Sequence, residues 1–281
     1  MQIGDYKVYS LVTGLFKLDG GAMFGVVPKP LWSKTNPADE QNRIEMCTRS
    51  LFLDNGKRKI IVDTGTGHKL SKKNKEIYSV DFSEHSLEKS LEKLDISSDD
   101  ITDVILTHLH FDHCGGSTYY DKNDGLKVTF PNATHYVQEK HLEWASNPTE
   151  RDRASFFEND FKPLIDKKLL KTFNGETRFD DFISLRIVNG HTPYMQVVTV
   201  SDNHNNILYG ADLIPMASHI QLPYIMGYDL LPLVTLNEKR YFLNQIIEKN
   251  GIVFLEHDPY VEGARISFNG KQFFLQEKIF F

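Results

Sequence analysis

Ten residues, Thr107–Gly116 with the sequence THLHFDHCGG, constrain this chain more than any other stretch. His108, His110, Asp112 and His113 fall within six residues, directly behind the apolar run Val104-Ile105-Leu106, which reads as a buried strand. Residues two apart in an extended segment point to one side, so His108 and His110 can grip one ion while Asp112 and His113 turn toward a second. Three imidazoles and a carboxylate this close together make a metal site the first expectation. A merely solvated loop would have no reason to follow a strand and precede Gly115-Gly116.

The rest of the chain sets bounds. With 281 residues and 40% hydrophobic content it can bury a sizeable core, and a globular protein is expected. A net charge of −6 offers no electrostatic footprint for nucleic acid or an anionic membrane, so neither is expected as a partner. The start, MQIGDYKVYS, lacks a basic region followed by an apolar run, and no run of eighteen apolar residues occurs. Cys47 and Cys114 are too few for a disulfide framework. A soluble, cytoplasmic protein is the expectation.

In chain order, residues 6–29 alternate polar and apolar around Gly14 and Gly20-Gly21 and suggest an antiparallel strand pair with an irregular turn. Leu31–Arg43 is polar and reads as a loop, either one that folds over a substrate mouth or a solvated surface loop. Met46–Leu53 and Lys59–Val62 flank Asn55-Gly56, a strong hairpin signal. The second of these ends at Asp63-Thr64-Gly65-Thr66-Gly67, which is no phosphate loop because no Gly-Lys-Ser/Thr follows. A helix is expected at Ser86–Leu94, feeding a strand at Asp103–Thr107, then short strands at Val128–Phe130 and Ala133–Val137. Residues 138–170 read as two helices split at Asn147-Pro148, whose apolar residues are either ordinary core or the aromatics of a helical insertion that face the active site or a second subunit of a homodimer. Four strands, Leu169–Phe173, Ile183–Val188, Gln196–Ser201 and Ile207–Gly210, read as antiparallel. An amphipathic helix at Asn237–Lys249, a strand at Ile252–Leu255 and a terminal hairpin around Asn269-Gly270 complete the pattern. His108, His191, Asp212 and His257 each stand just past a predicted strand, so the four would meet if those strands share one edge.

His108-x-His110-x-Asp112-His113 resembles the signature of the metallo-β-lactamase superfamily. Asp63-Thr64-Gly65, Gly190-His191-Thr192-Pro193, Gly210-Ala211-Asp212 and Glu256-His257-Asp258 follow in that family's order. The resemblance implies an α/β (α+β) fold, a four-layer αβ/βα sandwich of two mixed sheets flanked by helices, in a single domain over 1–281 with its metal centre along one edge. It implies two divalent ions: His108, His110 and His191 on the first, Asp112, His113 and His257 on the second, and Asp212 bridging them, with Asp63 behind the ligands. Zinc is the default, and manganese or iron fits the same donors. With seven ligands already in place, Cys114 is expected to be structural. Of the remaining histidines only His219, in a segment bordering the pocket, is of interest.

The resemblance implies a binuclear hydrolase that attacks a carboxylic ester or lactone with a metal-bridging hydroxide, Asp112 assisting as acid/base. The alternatives are a thioester (glyoxalase II-like) or organophosphate ester hydrolase, then an iron-dependent oxidoreductase or a non-catalytic metal-binding protein. Asp212 as the bridge points to the lactonase and thioesterase side, and His110 points away from the diiron members. N-acyl homoserine lactone lactonases are locally similar, with two departures: Tyr194-Met195 after His-Thr-Pro, and Pro215 where those enzymes often carry a Tyr. Tyr194 and Tyr224 are the candidate replacement phenols.

Overall fold

A computed structural model of the chain describes residues 1–281, which fall into two compact units. Met1–Leu15 with Thr48–Thr177 form the first, Phe16–Cys47 with Arg178–Phe281 the second. In chain order the strands are Gln2–Ile3 (β1), Tyr6–Asp19 (β2), Arg43–Asp54 (β3), Lys59–Val62 (β4), Asp103–Ile105 (β5), Thr118–Tyr120 (β6), Leu126–Val128 (β7), Thr134–Gln138 (β8) and Leu170–Phe173 (β9). Thr177–Arg178 (β10), Ile183–Val188 (β11), Met195–Ser201 (β12), Asn206–Tyr209 (β13), Ile252–Phe254 (β14), Gly263–Phe268 (β15) and Phe273–Ile279 (β16) follow. The helices are Gly20–Phe24 (α1), Lys29–Trp32 (α2), Lys72–Ile77 (α3), Leu87–Glu92 (α4), Phe111–Cys114 (α5), Glu139–Ser146 (α6), Glu158–Asp166 (α7) and Pro232–Glu248 (α8). None is long and apolar enough to cross a membrane.

Two seven-stranded mixed sheets with accompanying helices bear out the expected fold class. The first runs β1-β2-β3-β4-β5-β8-β9, with β4, β5, β8 and β9 mutually parallel. Its central strands are buried throughout, which is why Ile60-Ile61-Val62 and Val104-Ile105 are continuous apolar runs rather than alternating ones. Phe52, Ile61, Val104 and Leu106 join Leu87 and Leu91 of α4 in one core. The Ser86 hydroxyl caps that helix by accepting the Lys89 amide at 3.2 Å.

The second sheet runs β10-β11-β12-β13-β14-β15-β16. Because β11 and β13 are both antiparallel to β12, they point the same way, and β14 is parallel to β13. The carboxyl ends of β11, β13 and β14 therefore lie at one end of this sheet.

Several expectations are corrected. No hairpin occupies residues 6–29: β2 runs through Gly14, and Gly20 opens α1, capped by Asp19 accepting the Ala22 amide at 2.8 Å. Gly20 serves close packing, since a Cβ there would stand 2.4 Å from the Trp32 ring. Leu31–Arg43 is not all loop, because Trp32 ends α2 as a buried side chain stacked on Phe24 at 5.2 Å. Residues 138–170 do hold two helices, α6 and α7, but β9 behind them pairs parallel with β8 in the first sheet rather than joining an antiparallel run. A hydrophobic stretch carries no mark of which sheet it will enter.

Candidate metal centre

In the first unit, the parallel strands β4 and β5 deliver Asp63 and the THLHFDH loop to the same sheet edge. Asp63 is fully buried, with a positive φ of 56°. Its Oδ1 accepts the Thr107 amide at 2.7 Å, and its Oδ2 accepts the Thr107 hydroxyl at 2.6 Å. That hydroxyl lies 3.0 Å from Nδ1 of His108. Since its proton goes to Asp63, Nδ1 of His108 must be the donor, which leaves Nε2 as a lone pair. This Nε2 lies 3.0 Å from Nδ1 of His110. His113 is fixed in the same way, with Nδ1 at 3.0 Å from Asp63 and Nε2 turned to Asp112 at 3.9 Å. Asp63 thus sits behind the loop and sets the tautomers of two imidazoles, one directly and one through Thr107.

The loop's shape has a local cause. His110 stands ahead of the single turn α5, and its carbonyl accepts the amides of His113 and Cys114, each at 3.0 Å. An extended His110 followed by one helical turn separates His108 and His110 from Asp112 and His113. The two glycine pairs exist for backbone contact: a Cβ on Gly116 would lie 2.1 Å from the Thr64 carbonyl, and one on Gly67 2.5 Å from that of Gly115. The Thr64 amide donates to the His113 carbonyl at 2.6 Å, which completes the seam.

In the second unit, His191, Asp212 and His257 each stand three residues past a strand end, beyond Val188, Tyr209 and Phe254. The shared direction of β11, β13 and β14 brings them together. Asp212 offers one oxygen to each imidazole: Oδ2 lies 3.0 Å from Nε2 of His191 and Oδ1 3.0 Å from Nε2 of His257. Behind them, Nδ1 of His191 donates to Asp229 at 2.8 Å and Nδ1 of His257 to the Cys47 carbonyl at 2.9 Å. Burial disfavours a charged His191, yet Asp212 and Asp229 outweigh it and hold the imidazolium up to about 10. A group so rich in buried anionic oxygen calls for positive charge. Without a cation the His191 proton answers that charge; imidazoles that give up Nε2–H to a cation, beside carboxylates, are the donor chemistry of a divalent metal, so the residues fit one.

The His191 turn is held by α8. Glu238 accepts the amides of Asn189 and Gly190 at 2.7 and 3.0 Å, and a Cβ on Gly190 would meet the Thr235 amide at 2.3 Å. Every predicted donor is thus buried beside others of its own unit.

Cys114 is structural as expected: burial, with Asp160 adding to it, pushes the thiol well above its ordinary range. His219 is no free base, since its Nε2 lies 2.8 Å from the Met23 carbonyl, its ring stacks on Phe24 at 4.8 Å, and burial depresses it to about 3. Tyr224 packs edge-on to Phe24 at 5.8 Å, and Tyr194 holds a left-handed turn with φ of 57°. Sequence reading missed Asp229, Glu238 and His141, whose Nε2 accepts the Leu109 amide at 2.9 Å in the middle of the loop. A lone carboxylate or imidazole on a distant helix or loop has no spacing that would signal such a role.

The sequence matches the model of the metallo-beta-lactamase superfamily over residues 48–260. The fold is similar to that of a probable metal-dependent hydrolase from Staphylococcus aureus, 28% identical, with a TM-score of 0.88 over 99% of this chain and 100% of that one. It is also similar to AidC, described as a dizinc quorum-quenching lactonase in complex with a product, at 21% identity and a TM-score of 0.81 over 100% of this chain and 97% of that one. A third similar structure is the hydrolase AbOPH in the beta lactamase superfamily, at 19% identity and a TM-score of 0.78 over 100% and 97%. No curated protein matches the sequence.

Proposed function

The chain belongs to the metallo-beta-lactamase superfamily as a metal-dependent hydrolase, and we propose that it is a binuclear one cleaving small carboxylic esters or lactones. The observation that carries this reading is Asp212, whose two oxygens face two different imidazoles at 3.0 Å each. A carboxylate so placed can serve two cations at once. On this reading His108, His110 and His191 hold one ion, Asp112, His113 and His257 hold the other, and Asp212 is shared. The similarity to a dizinc lactonase supports zinc as the metal, and the same donors accept manganese or iron.

The ions would supply Lewis acidity and make hydroxide available near neutral pH. The protein's own groups do the rest. Asp63, Asp229 and the Cys47 carbonyl keep Nδ1–H of His113, His191 and His257 occupied, so that each Nε2 stays an acceptor. The Asp112 carboxylate orients the attacking water, takes its proton and returns it to the leaving alkoxide as the acyl–oxygen bond breaks.

Metal analysis with an activity screen of the metal-loaded protein tests the proposal. Two ions per chain and turnover of lactones or aryl esters are expected. A stoichiometry of one at saturating metal would defeat the binuclear reading. Turnover confined to thioesters or phosphotriesters would move the substrate class, and inactivity against all four at full occupancy would leave a metal-binding protein or a redox centre.

A further inference from the structure

His141 is a fully buried imidazole in the first turn of α6, on the inward face it shares with Ala145. What it faces follows from where the first sheet stops. The Leu106 amide donates to the Tyr136 carbonyl at 2.9 Å, and two residues later β8 passes into α6 without a break. The metal loop therefore leaves the sheet at Leu106 while still buried, and its next amides need acceptors that β8 no longer offers. Two of these acceptors are side chains. Asp63 takes the Thr107 amide at 2.7 Å, and Nε2 of His141 takes the Leu109 amide at 2.9 Å. Because Nε2 accepts, the ring carries its proton on Nδ1 and is neutral. Leu109 stands between His108 and His110, and its own side chain is fully buried in the core of the first unit. The His141 ring lies 6.1 Å from that of His108 and 6.0 Å from that of Phe156, which packs edge-on to His110 at 4.7 Å. Leu109 is thus held by its side chain in the core and by its amide on His141, and the two imidazoles that flank it take their placement from it.

We infer that His141 is a positioning residue of the metal centre, which by accepting the Leu109 amide fixes the His108–His110 segment so that both imidazoles meet one ion. The inference rests on the reading of His108 and His110 as ligands of one ion and does not depend on the substrate class. Without the acceptor a buried N–H loses its partner, and the segment regains one only by shifting, which moves both donors. A side chain that only filled space under the loop would change stability and leave the donors where they are.

Gln and Asn carry the same amide and differ in reach: the Gln oxygen extends to where Nε2 stands, and the Asn oxygen stops short of it. In the full chain, zinc affinity by chelator competition should stay within about threefold for His141→Gln and fall roughly 10- to 100-fold for His141→Asn. The cobalt(II)-loaded proteins give a readout that needs no turnover. Their visible d–d bands report donor geometry, and should match the unsubstituted protein in His141→Gln and shift or weaken in His141→Asn. Equal affinity and equal spectra in all three proteins would overturn the positioning role, whatever the variants do to thermal unfolding, and so would an equal loss in both variants, which would assign the effect to the shape of the ring. A third measurement uses the unsubstituted protein and holds even if His141→Asn does not fold. Hydrogen exchange at the Leu109 amide should be slow and should slow further on adding zinc, since a bond that places the ligands is reciprocally stabilised by the ion; exchange that ignores zinc would count against the role. A chain that bound no divalent metal would take the metal-centre reading down with it, whereas failure of the Gln and Asn variants to differ leaves that reading intact.

Discussion

Asp229 accepts a hydrogen bond from Nδ1 of His191 at 2.8 Å, across 38 residues of chain, with both side chains buried. The carboxylate fixes the imidazole's tautomer and makes Nε2 a better donor to a cation. Asp229→Ala should lower metal affinity roughly 10- to 100-fold with circular dichroism unchanged. Competition against a chromophoric chelator measures this, and an affinity equal to that of the unsubstituted protein would remove Asp229 from the centre.

Asp112 and Asp212 are both carboxylates, but they are assigned different work. Asn at position 112 keeps the shape and loses basicity, so turnover should fall roughly 10²-fold or more even in excess metal. Asn at position 212 loses one anionic oxygen of a shared ligand and should act through metal content, recovering as metal is added. Full metal rescue of Asp112→Asn would reduce that residue to a ligand.

Lys69 and Asp160 form a buried pair at 3.0 Å, with side chains 6% and 5% exposed, and Nζ of Lys69 also reaches the carbonyls of Gly115 and Thr118. The pair ties α7 to the end of the metal loop. Lys69→Met strands a buried carboxylate and should cost about 3–5 kcal/mol in urea unfolding at neutral pH. Adding Asp160→Leu should recover much of that loss, because the stranded charge goes with it. A single-variant cost below about 1 kcal/mol would place the pair with ordinary surface bridges.

Acid should weaken the fold through two buried histidines. Burial holds His135 at about 4 and His219 at about 3, against an ordinary value of 6.5. Their folded values lie below the unfolded one, so the unfolded chain takes up protons first as pH falls. The stability is complete above about 6.5 and is lost progressively toward 4 and 3. Each group should contribute a loss of about 2 kcal/mol between pH 7 and pH 5. Urea unfolding of chelator-treated protein at both pH values measures the drop. His219→Gln should shrink it by one group's share, and an unaltered drop would show that His219 does not carry it.

Much of this molecule is legible in its sequence because the signals are local. Apolar runs mark β4, β5 and β14, Asn55-Gly56 marks a hairpin, Ser86 marks a helix start, and a cluster of donors behind a strand marks the metal loop. The family order marks four outlying positions, His191, Asp212, His257 and Asp63. What packing alone decided is of another kind. Gly14 and Gly20 look like turn residues, yet one runs inside a strand and the other makes room for Trp32, because a glycine shows only that a Cβ is absent and not what fills the space. β9 could have joined either sheet, since its pairing depends on neighbours far away in the chain. Asp229, Glu238 and His141 acquire meaning only when a helix or turn brings each beside a loop it does not adjoin. The sequence by itself determined where most elements form and which side chains offer metal-donor chemistry, because periodicity and donor chemistry are written residue by residue. The tertiary structure decided which groups stand behind those donors, because a hydrogen bond between residues 38 apart depends on how their elements pack.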